Sequence, residues 1–272
     1  MIQGSRLGPL SFIVMIDDLR ANYEVHKFVD DTTMSELITP SRSPSNMTDY
    51  LSSLLSWTAD NDMQLNTSKT KKMILGRIDS TSIPSLSTPA GPIQRATTFK
   101  LFGLHLDAGL SWMIHINTIV SKASKRLYFL KQLRRTGVTP QQPLHFYTAI
   151  IPPVLEYASP VWHYSITQAQ SQHLESVQKR AVHIIFSFTR PNVLFVANLN
   201  SLKDRGDKFS WTFFQNMCKP ASCLHHLLPP CRYTSAISRL RSSTPLPRPA
   251  LRTKKFESFE NFAKDNKYQS PV

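Results

Sequence analysis

From Trp112 onward the apolar residues fall into a helical period. Ile116, Ile119, Val120, Ala123, Leu127 and Leu130 share one stripe, and Gly137 stands where such a helix should end. A stripe this long predicts a helix of several turns with one buried face, and that face needs other apolar faces to cover it. Two candidates follow. Thr139-Pro140 reads as the N-cap and first helical residue of a helix running through Ile151 and broken by Pro152-Pro153. Residues 167–186 form a third helix, with Leu174, Val177, Ala181 and Ile184 in register.

The residues before this body have another character. Pro9 opens an apolar-periodic segment with Leu10, Ile13, Val14 and Leu19 at helical spacing. Residues 23–35 read as two short strands around Asp30-Asp31. The stretch 46–62 reads as an amphipathic helix with Leu51, Leu54, Leu55 and Thr58 on one face. A strand is expected at Lys72–Leu75, a Ser/Thr/Pro-rich connector or long hairpin over 78–98, and a strand over Phe99–Asp107 with Gly103 at its middle. Beyond about residue 190 the periodicity fades, and 229–250 is rich in Pro and Arg. The fold class is therefore α+β: a mixed region over 1–110, a helical region over 111–189, and an irregular basic tail over 190–272.

Charge narrows the partners. Lys and Arg outnumber Asp and Glu by 32 to 18, a net charge of +14, with aromatic residues at 10%. That balance favours polyanions, and nucleic acid above others. The segment 121–135 concentrates it: Lys122, Lys125, Arg126, Lys131, Arg134 and Arg135 occur there without an acid. Lys122, Lys125 and Arg126 lie on one flank, beside the apolar stripe. This is a geometry suited to gripping a nucleic-acid backbone, and Lys179 and Arg180 extend it. No apolar run approaches the roughly 18 residues of a membrane span. The short run Leu10–Ile16 is followed by Asp17-Asp18 instead of a cleavage site, so it does not read as a signal peptide. An intracellular protein of the nucleus or cytoplasm is expected.

Two clusters invite metal chemistry. Phe28-Val29-Asp30-Asp31 places adjacent carboxylates between strands, where a turn can converge them on a Mg²⁺ ion; taken alone, two acids there read sooner as solvated turn residues, since Asp is common in turns. Cys218, Cys223, His225, His226 and Cys231 lack the spacing of a zinc knuckle. Asp17-Asp18 on a helix point about 100° apart and cannot close on one ion.

Several segments in fixed order complete the pattern: Gln3-Gly4-Ser5-Arg6-Leu7-Gly8-Pro9, Phe28-Val29-Asp30-Asp31, Leu65-Asn66-Thr67-Ser68-Lys69, and Leu101-Phe102-Gly103 within residues 99–107. Lys122–Leu130, Val154–Trp162, Gln178–Ala181 and Leu224–Pro230 follow. Together they resemble the later motifs of a reverse transcriptase (RNA-directed DNA polymerase) of jockey-like non-LTR retrotransposons. The resemblance implies a partial right-hand palm over 1–110, of antiparallel strands plus helices, and a thumb-like region over 111–189. It implies that Asp30 and Asp31 are catalytic, metal-binding carboxylates for two Mg²⁺ ions in nucleotidyl transfer. Gln3, Gly4 and Ser5 would contact nucleotide and template, Lys69 would neutralise or protonate the leaving pyrophosphate, and Leu101, Phe102 and Gly103 would form a primer grip. RNA template, DNA primer and deoxynucleoside triphosphates are the implied partners.

That family needs a further aspartate on a strand upstream of Gln3, which stands third in this chain. The expectation is thus a truncated reverse transcriptase fragment that is inactive alone. The alternative is a non-catalytic basic RNA- or DNA-binding protein derived from a retroelement.

Overall fold

The computed structural model describes residues 7–19, 23–38, 45–76, 83–186 and 199–228. The chain divides into two compact units, Met1–Phe99 and Lys100–Val272. Both helices and short strands are present, and the fold is α+β.

The first unit opens with helix α1 (Leu7–Asp17), whose C-terminal carbonyls are held by a neighbour. Lys27 Nζ donates to Ile16 O at 2.9 Å and to Asp17 O at 3.4 Å, a cation placed on the negative end of a helix. Strands β1 (Glu24–Phe28) and β2 (Asp31–Ser35) pair antiparallel, from Glu24↔Ser35 to Phe28↔Asp31. Only Val29 and Asp30 remain for the turn. Val29 takes φ 53°, at a position where a hairpin prefers glycine. Helix α2 (Met47–Asp60) buries Leu51 and Leu54. Leu51 joins Leu86 and Ile93 in a small core flanked by Met34, Met47, Leu55 and Leu65.

The strand expected at Lys72–Leu75 is shorter than the sequence suggests. Only β3 (Lys71–Lys72) pairs, in parallel, with β6 (Gln94–Arg95). The Ser/Thr/Pro-rich connector holds a small hairpin of β4 (Ser87–Thr88) and β5 (Gly91–Pro92). Among the described residues every sheet has two strands. The expected single strand at Phe99–Asp107 is instead a hairpin, β7 (Thr98–Leu101) and β8 (Leu104–Asp107). Phe102 and Gly103 form its turn with φ of 46° and 85°. Two consecutive positive φ values are the mark of a type I′ turn, which reverses the chain within two residues.

The second unit is built on α3 (Met113–Arg135), the helix expected from the stripe. Ile116, Ile119, Val120, Ala123, Leu127 and Leu130 are all buried. They meet Tyr147 of α4 (Gln141–Ile150), Ile151, Leu155 of α5 (Pro152–Leu155) and Trp162 of α6 (Ser159–Trp162). Leu174, Val177, Ala181 and Ile185 of α7 (Gln168–Phe186) complete the cluster. Each fully buried Leu or Ile contributes about 1.5–3 kcal/mol, so this cluster is the main source of the unit's stability. Pro152-Pro153 does break the chain, ending α4 and opening α5.

The tail expected to be irregular carries a helix, α8 (Leu202–Met217). The Ser201 hydroxyl accepts from the Asp204 amide at 3.0 Å, a regular N-cap. Its buried positions are Leu202, Gly206 and Ser210, four apart, of which only Leu202 is apolar. Residues 229–272, including Cys231 and the Pro/Arg-rich stretch, lie outside the described residues.

Candidate nucleic-acid interface

Outside its apolar stripe α3 is basic, and the whole helix is acid-free. Its cations divide into two groups by what they touch. Arg126 donates through Nη1 to Ile150 O at 2.6 Å, and Arg134 through Nη1 to Ile184 O at 2.6 Å. These carbonyls belong to the last turns of α4 and α7, where no intrahelical donor is available. The two arginines therefore brace helix ends. Arg180 reaches Ser124 Oγ at the longer distance of 3.5 Å.

Lys122, Lys125, Lys131, Arg135 and Lys179 are exposed. Among the described residues the ion pairs are His163–Asp207 and Arg205–Glu156, neither of which involves α3. A cation without an acid partner keeps its full field for an incoming anion. Lys122 and Lys125 thus stand ready in a way that Arg126 does not.

The β7–β8 hairpin adds to the same field. His105 has its pKa lowered by burial first, then by the positive charges of Lys100 and Lys122. The coupling shows that strand β7, strand β8 and helix α3 bring their cations within electrostatic reach. Beneath them His115 is completely buried between Trp112 and Trp162, with ring centroids at 6.1 and 5.7 Å. Its pKa is lowered to about 4, by burial and then by His105 and Lys122. The neutral ring accepts at Nδ1 from the His105 amide at 3.5 Å, tying helix to hairpin.

Leu101, Phe102 and Gly103 occupy the hairpin turn, with Phe102 and Gly103 exposed and Leu101 half-buried. Tyr157 Oη donates to Phe102 O at 2.8 Å, and a Cβ on Gly103 would lie 3.2 Å from the Tyr157 ring. Gly103 is thus explained by the turn it makes and the ring beneath it.

The other residues singled out from sequence are in the first unit. Asp30 completes the hairpin turn, Asp31 opens β2, and both are exposed. Lys69 lies in a turn organised by Asn66, whose Oδ1 accepts from the Lys69 amide at 3.2 Å. Among the described residues no hydrogen bond or ion pair joins Lys69 to either aspartate. Two carboxylates are a donor set that Mg²⁺ takes alongside water or phosphate oxygens. Among the described residues no group of three or more His, Cys, Asp or Glu side chains gathers for a metal, here or at Cys218–His226. His226 Nδ1 lies 2.8 Å from Cys223 O instead. Gln3, Gly4 and Ser5 lie outside the described residues.

Residues 112–152 match a family model. Its description is "Alkylated DNA repair protein alkB homolog 8, N-terminal", and the match takes in α3 and α4 with the residues just beyond. No curated protein and no solved structure matches the chain. The matching family is not a reverse transcriptase, and this corrects the assignment drawn from the ordered motifs. With it falls the polymerase enzymology, including the retrotransposon origin and the demand for primer and deoxynucleoside triphosphates. The physical reason for the false likeness is visible at two of its motifs. Phe-Val-Asp-Asp and Leu-Phe-Gly each span a two-residue hairpin turn, and three or four residues at a turn are too few to specify a chemistry. Among the described residues no helix is long and apolar enough to cross a membrane.

Proposed function

We propose that this protein is a non-catalytic nucleic-acid-binding protein whose helical region, over 111–189, grips the phosphate backbone. The observation that carries the reading is the outer side of α3: Lys122 and Lys125 are exposed and have no acid partner among the described residues, on a helix without a single acid. Lys100 adds positive charge from the adjoining hairpin, near enough to lower the pKa of His105. The family model that matches this stretch is named for the repair of alkylated DNA, a nucleic-acid substrate. The net charge of +14 agrees with a polyanionic partner.

Phosphate binding releases counterions, so affinity falls with salt in proportion to the number of contacts. The test is the salt dependence of binding to RNA and DNA for the full chain and for Lys122→Ala/Lys125→Ala. Loss of two contacts lowers the slope of log affinity against log salt by roughly 1.4–1.8. An unchanged slope would remove α3 from the interface.

A further inference from the structure

The side of α3 that carries the free lysines also displays two aromatic rings. Tyr128 is 59% exposed and Phe129 57% exposed. They contact each other edge to face, with centroids 5.8 Å apart and planes at 75°. On the helix Tyr128 lies three residues beyond Lys125, and Phe129 lies four beyond Lys125 and seven beyond Lys122. These separations place rings and cations side by side on one surface. Arg135 is exposed about two turns further along.

Isolated exposed hydrophobic residues are ordinary, but two adjacent large rings set among unpaired cations form a particular chemical surface. Phosphate neutralisation alone calls only for the cations. Rings contribute where flat π-faces reach them, and in a duplex the bases are already stacked on each other. In a single strand the base faces are free, and an aromatic ring beside a backbone-tracking cation meets both halves of each nucleotide.

Resting on the nucleic-acid reading above, we infer that the preferred ligand is single-stranded. Lys122 and Lys125 hold successive phosphates while Tyr128 and Phe129 stack on the bases between them. The surface reads no base edge, so it is tolerant of sequence. The absence of acids anywhere on α3 decides this occupant over an apolar protein segment, because a desolvated lysine pair would oppose the latter.

The test measures full-chain binding to three labelled probes of about 15 units, a length that covers a typical single-strand site: a poly-pyrimidine strand, the same backbone with abasic sites, and a mixed-sequence duplex. The expected order places the base-bearing strand first. Tyr128→Ala/Phe129→Ala should weaken that strand by about tenfold to a hundredfold and leave the abasic strand unchanged. Tyr128→Phe should restore most of the affinity, since stacking needs the ring and not the hydroxyl. Equal affinity for base-bearing and abasic strands, or no effect of the double substitution, overturns the stacking inference. If those outcomes come with salt-dependent binding that Lys122→Ala/Lys125→Ala weakens, the backbone-binding reading survives. Absence of salt-dependent binding to all three probes overturns both.

Discussion

Arg126 Nη1 sits 2.6 Å from the carbonyl oxygen of Ile150, the last residue of α4. The guanidinium thus closes one helix onto the end of another, four residues along from the exposed Lys122. Neighbouring cations on one helix have different roles here, and substitution can separate them. Arg126→Ala removes a charge-assisted hydrogen bond to an otherwise unpaired carbonyl and should cost about 1.5–3 kcal/mol in denaturant unfolding. Lys122→Ala and Lys125→Ala should each stay within about 0.5 kcal/mol of the parent. Equal stability of all three variants would show that the Arg126 brace contributes nothing.

His115 governs the acid limb of stability. Its pKa is about 4 in the folded chain and near 6.5 when exposed, because burial and the charges of His105 and Lys122 oppose a proton on the ring. The unfolded chain therefore binds the extra proton first as pH falls. The stabilisation is complete above pH 6.5 and is lost between there and pH 4, by about 3 kcal/mol. His105 is shifted in the same direction. Replacing His115 with Gln should flatten this limb in urea titrations at several pH values. An acid limb as steep as the parent's would place its origin elsewhere.

Tyr147 is buried in the main core, and its hydroxyl has no hydrogen-bond partner among the described residues. Burial is also the main reason its pKa is raised, with the negative charge of Glu156 next. An unsatisfied buried hydroxyl costs about 1–3 kcal/mol. Tyr147→Phe keeps the ring and should raise the melting temperature. A drop would reveal a hydrogen bond made by that oxygen.

Gly206 reverses a common rule. Gly→Ala within a helix usually stabilises by about 1 kcal/mol. At this position in α8 a Cβ would fall 2.4 Å from two atoms of the His163 ring. That ring cannot swing away freely, since Nε2 is 3.0 Å from Asp207 Oδ1 and Tyr164 Oη also donates to that oxygen at 2.9 Å. Gly206→Ala should therefore destabilise by about 1–3 kcal/mol, read from the denaturation midpoint. A rise in stability would mean the His163–Asp207 contact yields easily.

Segments whose order comes from local pattern were legible in the chain itself. The stripe from Ile116 to Leu130 announced α3, and the Pro152-Pro153 break announced the end of α4. Periodicity and backbone sterics act within a few residues, so they leave a local trace. The acid-free run of cations was equally plain. The family assignment was not, because short motifs such as Phe28–Asp31 are only a few residues long and carry little family information.

Other features existed only once the chain had folded. Helix α8 buries Leu202, Gly206 and Ser210, a face that fits because His163 lies against Gly206, and two of those three positions are not apolar. The division of labour among the α3 cations likewise depends on where α4 and α7 end. The sequence by itself determined a helical body with a strongly basic, acid-free flank. Tertiary structure decided which of those cations are spent on the carbonyls of Ile150 and Ile184 and which remain open beside Tyr128 and Phe129. Charge is a property of each residue, but a charge becomes available to a ligand only when packing leaves it without a partner.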